Sequence, residues 1–126
     1  MNGQRIKYIL LVDDNMTDLR SFHQLLVYFG YDVTSTNDPR QALRFFREEP
    51  DKFQLIITDQ FMPGMKGHEF VTHIHQIRED IPVILCSGSD ETLQELQEQR
   101  EDIQRFLPKP FSRSELAEAI RDVLAC

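Results

Sequence analysis

Short apolar runs alternate with longer amphipathic stretches along the whole chain. The runs are "KYILLV" (residues 7–12), "YDVTST" (31–36), "QLIIT" (54–58), "PVILC" (82–86) and "IQRFLP" (103–108), each bounded by turn-forming residues and of strand length. Between them, apolar residues recur at spacings of three and four: Leu19, Phe22, Leu26 and Phe29; Phe70, Ile74 and Ile77; Leu116, Ile120, Val123 and Leu124. Such stripes give a helix one buried face. Asp38 before Pro39 has the form of an N-cap with proline in the first turn, Ser112 with Glu115 forms a capping box, and Gly30 supplies a stop after Phe29. "SDETLQELQEQRED" carries only Leu93 and Leu96 as large apolar residues, which predicts a lightly anchored helix. Strands that are apolar on both faces and alternate with helices predict an α/β sandwich, a five-stranded parallel sheet covered on both sides and joined by right-handed crossovers.

A length of 126 residues fits one compact domain spanning 1–126. With 14 basic and 21 acidic residues the net charge is −7, which argues against nucleic acid and anionic membrane surfaces as partners. No apolar run approaches the roughly 20 residues of a membrane span and no signal-peptide pattern opens the chain, so a cytoplasmic location is expected. Cys86 in an apolar run and Cys126 at the end have no metal-ligand neighbours and read as free thiols.

In open α/β sheets, ligands bind beyond the carboxyl ends of the strands. Asp13 and Asp14 follow the first run, Asp59 the third, Ser87 the fourth and Lys109 the fifth. Three carboxylates in one cleft repel each other, so the cleft calls for a cation, and removing the charge of Asp13 or Asp59 should stabilise the metal-free fold. Oxygen ligands in a partly wet site suit Mg²⁺. A metal, a lysine and a hydroxyl are what an aspartate needs to accept a phosphoryl group by in-line displacement, which makes Asp59 the nucleophile. The competing assignment is that Asp59 caps the turn that follows it.

"LLVDDN", "ITDQFMPGMKG", "ILCSGSD" and "FLPKPF", in this order, resemble the receiver domain of two-component response regulators over essentially the whole chain. The resemblance implies a flavodoxin-like three-layer sandwich with five helices and strand order 2-1-3-4-5. It implies Asp59 as phosphoacceptor, Asp14 as a direct Mg²⁺ ligand, Asp13 acting mainly through water, and the Phe61 backbone carbonyl as a further ligand. Ser87 and Lys109 would bind phosphoryl oxygens, with Lys109 fixed by a cis peptide before Pro110, and Ser87 and Phe106 would form the switch. The implied partners are a histidine kinase or histidine phosphotransfer domain and an unknown downstream protein, with the chain a monomer or weak homodimer. The activity would be signalling, with intrinsic autophosphorylation and autodephosphorylation only. With no output segment after the last predicted helix, the chain reads as a stand-alone regulator or a receiver excised from a hybrid sensor kinase.

Departures from the family pattern lie at "QREDIQ", where the end of the fourth helix should be irregular or longer, at bulky Phe61 beside the acceptor, and at Phe106, which lacks a tyrosine hydroxyl. His23, His68, His73 and His75 read as ordinary surface or half-buried residues; His73 and His75, two apart on a helix, cannot chelate one ion together. Three alternatives stand beside the receiver reading. An aspartyl-nucleophile phosphatase would carry a second aspartate where Phe61 stands, an FMN carrier would need a hydroxyl- and glycine-rich loop in place of "DDNMTD", and an interaction module would keep the fold without phosphorylation.

Overall fold

The apolar runs form a sheet buried on both sides. The computed structural model describes residues 7–125, so Cys126 lies outside them. In chain order the elements are β1 (Tyr8–Val12), α1 (Met16–Tyr28), β2 (Asp32–Thr36), α2 (Pro39–Glu48), β3 (Leu55–Asp59), α3 (Gly67–Ile77), β4 (Val83–Ser87), α4 (Asp90–Gln99), β5 (Arg105–Pro108) and α5 (Arg113–Leu124). The strands pair in the order β2-β1-β3-β4-β5, every pair parallel, with Ile9 opposite both Val33 and Leu55. This is the predicted five-stranded, three-layer architecture.

Alternation along the strands divides the interior in two. Leu10 and Val12 of β1 pack with Ala42 and Phe46 of α2, Phe70 and Ile74 of α3, and Leu93 and Leu96 of α4. Ile9 and Leu11 point the other way, to Leu19, Phe22 and Leu26 of α1 and Leu116, Ala119 and Ile120 of α5. Each fully buried Ile, Leu or Phe contributes about 1.5–3 kcal/mol, so both cores are needed.

Helix ends follow local chemistry. The side chains of Asn15, Asp38, Ser89 and Ser112 accept N–H bonds at the starts of α1, α2, α4 and α5, and Glu115 returns a bond from the Ser112 N–H. After α1, Gly30 adopts φ +98°, where a side chain would strain the backbone, and the Tyr31 N–H closes back on the Leu26 carbonyl at 3.1 Å.

Several boundaries differ from those read in the sequence. Asp59 and Ser87 are the last residues of β3 and β4 rather than the first beyond them, because polar side chains do not prevent a backbone from joining a ladder: the Gln60 N–H still reaches the Cys86 carbonyl at 2.9 Å. The third and fifth strands start at Leu55 and Arg105, later than the apolar runs. There Gln54 accepts the Tyr8 N–H through its side chain (2.7 Å), and Gln104 accepts that of Val83 (2.8 Å). The fourth helix is not extended through "QREDIQ"; it stops at Gln99, and the chain turns where Arg100 pairs with Asp102. Only Leu93 and Leu96 of α4 are buried, as expected for a lightly anchored helix.

Candidate functional site

β1 and β3 end side by side and β5 ends at the same edge of the sheet, across β4 from β3, and residues at or just past the three ends meet. Asp13, Asp14 and Asp59 each present a carboxylate oxygen, the three lying within 4.8 Å of one another. Asp13 is buried, Asp59 half-buried and Asp14 exposed at the mouth. The Lys109 ammonium enters from beyond β5 and donates to Asp13 Oδ2 at 2.9 Å, with Asp59 Oδ1 at 3.5 Å and Asp18 Oδ2 of α1 at 3.8 Å. The Lys109–Pro110 peptide is cis, and the Lys109 N–H donates to the Ser87 carbonyl at 2.8 Å, tying the lysine to the end of β4.

The charges are unevenly settled. Burial pushes the Asp59 carboxyl up to about 6; the Lys109 charge opposes this, Asp13 and Asp14 add to it, and the hydrogen bond from the Gln60 N–H lowers it. Burial also works against the Lys109 ammonium, but the Asp13 hydrogen bond and the charges of Asp13 and Asp59 outweigh it and hold the lysine above its ordinary value. Burial drives the Cys86 thiol up to about 12, so it is an unionised core residue. Asp13 departs from the sequence-based expectation that its charge only destabilises the fold: besides Lys109 it accepts the Asn15 N–H at 3.0 Å, and these bonds compensate a buried carboxylate.

Ser87 is fully buried at the end of β4, and its hydroxyl accepts the Ser89 N–H at 3.0 Å, shaping the loop into α4. Phe61 lies just past Asp59, 46% exposed as a residue, with Lys66 Nζ 5.5 Å from its ring centroid. Phe106 stands apart from the acids, on β5 opposite Leu85, half-buried against the core on the α4 side. The edge therefore gathers Asp13, Asp14, Asp59 and Lys109 directly, with Ser87 in the neighbouring strand, and leaves Phe106 at a distance.

Some supporting residues escaped the sequence reading. Gln60, 2% exposed, accepts the His68 N–H (3.0 Å) and lies 2.8 Å from His68 Nδ1, joining the strand that carries Asp59 to the first turn of α3. Gly67 packs so closely there that an added Cβ would sit 2.4 Å from the Asp59 carbonyl oxygen. The second glycine of "PGMKG" was the available signal; nothing local marks Gln60 as buried. Of the histidines, His75 is less ordinary than expected, since it pairs with Asp102 at 3.0 Å.

The donor set suits a hard divalent cation, since it offers several carboxylate oxygens in a cleft open on one side. Among solved structures, the chain is similar to a response regulator receiver domain protein from Clostridium thermocellum (27% identity, TM-score 0.88, 95% of each chain covered). It is also similar to the receiver domain of sensor histidine kinase PA1611 from Pseudomonas aeruginosa, which was solved with a magnesium ion coordinated in its active site cleft (25% identity, TM-score 0.84, 97% of this chain and 100% of that one). In sequence it is 33% identical over 108 residues to the two-component response regulator ARR11 of Arabidopsis thaliana, covering 86% of this chain and 20% of that protein. The chain thus spans about a fifth of that relative's length. The family model for the response regulator receiver domain matches residues 9–121, and the chain belongs to this family of two-component phosphoacceptor modules.

Proposed function

We propose that Asp59 accepts a phosphoryl group from a phosphohistidine on a histidine kinase or histidine phosphotransfer domain. The observation that carries this reading is the placement of one ammonium between a buried, hydrogen-bonded carboxylate, Asp13, and a weakly satisfied one, Asp59. A carboxylate oxygen of Asp59 attacks phosphorus in line; the new O–P bond forms as the N–P bond breaks, and the departing imidazole nitrogen takes a proton from solvent. Lys109 keeps Asp59 available as a carboxylate despite its burial and then pairs with a phosphoryl oxygen. Ser87 donates its hydroxyl proton to another. Asp14, Asp59 and the Phe61 carbonyl would hold Mg²⁺, with Asp13 supporting the site from behind. When bound, Mg²⁺ would supply positive charge beside the transferring oxygens.

Beside Lys109, a largely apolar cavity lined by Phe22, Leu25, Pro110 and Phe111 gives a donor protein a surface next to the acceptor. Drawing Ser87 toward the phosphoryl group moves the loop into α4, and Phe106 repacks beneath the α4–β5–α5 face, the contact surface for a downstream protein. Slow autophosphorylation from small donors and autodephosphorylation accompany this role in a cytoplasmic monomer or weak homodimer. Intact-mass measurement after exposure to a small phosphodonor with Mg²⁺ tests the assignment. A single phosphoryl adduct should appear in the wild type and be absent in Asp59→Asn and in chelator; an adduct that survives Asp59→Asn rules out Asp59.

A further inference from the structure

Residues 61–66 form the loop between Gln60, just past β3, and Gly67, the first residue of α3, and hydrogen bonds close its base. The Gly67 N–H donates to the Gln60 carbonyl at 2.9 Å, the His68 N–H donates to Gln60 Oε1 at 3.0 Å, and Gln60 Nε2 lies 2.8 Å from His68 Nδ1. The Gln60 N–H is engaged as well, on the Cys86 carbonyl of β4 at 2.9 Å.

The donors and acceptors leave one arrangement. A backbone N–H only donates, so the amide atom facing it is the oxygen and the other is the NH₂ group, which donates in turn. His68 Nδ1 therefore accepts, and the ring is neutral with its proton on Nε2. The surroundings favour that form: burial holds the ring below its ordinary value, the charges of Arg100 and Lys66 act in the same direction, and Glu69 opposes them. His68 is also held from behind, since its carbonyl accepts Arg100 Nη1 at 3.1 Å and Arg100 donates to both oxygens of Asp102 at 2.8 Å. Gln60 is thus gripped between the sheet and a fixed helix start, and at 2% exposed it is shielded from water that could replace these partners.

We propose that the Gln60 amide and the neutral His68 ring form a clamp that positions the backbone carrying the Phe61 carbonyl for Mg²⁺, which makes Gln60 a positioning residue of the cation site. The inference rests on the reading of Asp14, Asp59 and the Phe61 carbonyl as the Mg²⁺ ligands. Gln60 stands between two of them in the chain. A carboxylate can meet an ion by rotating its side chain, but a carbonyl moves only with its planar peptide unit. The peptide that joins Gln60 to Phe61 is set by the bonds at Gln60, and on the far side Met62, 6% exposed, is anchored in the core. Phe61 is 46% exposed and gains little fixing from its own packing, so its carbonyl depends on these two neighbours. Without the amide, the loop base keeps only the bond from Gly67 to the Gln60 carbonyl, and an incoming ion would have to order the loop as it binds.

The test is Mg²⁺ titration of the intact, unphosphorylated protein, followed by the amide NMR shifts of Asp13, Asp14 and Asp59, together with nitrogen-15 NMR of the histidine rings in the metal-free state near about pH 7.5. Gln60→Met keeps the length of the side chain and deletes both amide bonds; its Mg²⁺ dissociation constant should rise about five- to tenfold. His68→Leu deletes only the ring acceptor and should raise it about threefold. Gln54→Met removes a glutamine that bonds the Tyr8 N–H and the Lys52 carbonyl at the opposite end of the sheet, and should leave the constant unchanged, which separates positioning from a general loss of stability. The wild-type His68 ring should be neutral with the proton on Nε2. A proton on Nδ1 overturns the clamp, as does an unchanged dissociation constant in Gln60→Met, or in His68→Leu if the first variant does not fold. Wild-type binding that Asp14→Ala leaves intact overturns the metal site itself, and the role of the clamp with it.

Discussion

Asp13 and Asp59 face the same ammonium, at 2.9 and 3.5 Å, yet the surroundings give them opposite consequences for stability. Asp59 titrates near 6 in the fold against about 3.9 in an unfolded chain, so between those values the native state holds more protons and stability falls as pH rises. In metal-free buffer near neutral pH, Asp59→Asn is expected to stabilise the protein by up to about 3 kcal/mol, and the advantage should vanish below about pH 4. Urea denaturation of both proteins at the two pH values checks this; an equal gain at low pH would show that the buried charge of Asp59 is not the source. Asp13→Ala should instead cost on the order of 3 kcal/mol, since it leaves Lys109 and the Asn15 N–H without their buried acceptor. The identity of these acids could be read from their places after apolar runs. The difference between them could not, because it depends on a lysine 96 residues away in sequence from Asp13.

The strands and the α1, α3 and α5 stripes were legible because a parallel sheet buried on both faces leaves near-continuous apolar runs, and each covering helix needs one apolar face, while α2 was marked only by its start at Asp38 and Pro39. Their ends were harder. A glutamine side chain substituting for a ladder bond, as Gln54 and Gln104 do, has no local signature. The corner after α4 was left open between irregular and longer for a related reason, since its turn is set by Arg100, Asp102 and a histidine from another helix. With its two leucines as anchors, α4 depends unusually on its caps. Ser89→Ala, which removes the bond to the Thr92 N–H, should cost about 1 kcal/mol. Hydrogen exchange should show that loss mainly as faster opening of residues 90–99. Uniform acceleration across the sheet would mean that α4 is integral to global unfolding.

Binding of a cation in the cleft would couple folding to ligand. Adding Mg²⁺ at roughly ten times its dissociation constant should raise the unfolding free energy by about 1.4 kcal/mol, and the rise should disappear in Asp14→Ala. A rise that persists in that variant would place the ion elsewhere. Gly67→Ala tests the packing behind Asp59: a methyl group 2.4 Å from the Asp59 carbonyl oxygen must push β3 and α3 apart, for a loss of about 1–3 kcal/mol measured by denaturation. The same acids have a further effect through β1. Its five residues have apolar partners on both sides, so sliding the strand by one position would still bury hydrocarbon in each core, and the interior distinguishes poorly between the two alignments. A slide would, however, bring Val12 or Asp14 to the place of Asp13, putting either a hydrocarbon against the Lys109 ammonium or the wrong carboxylate in the buried seat. The charged end of β1 therefore sets the phase of the central strand, and a chain that lost its acids would lose a marker of correct alignment along with its chemistry.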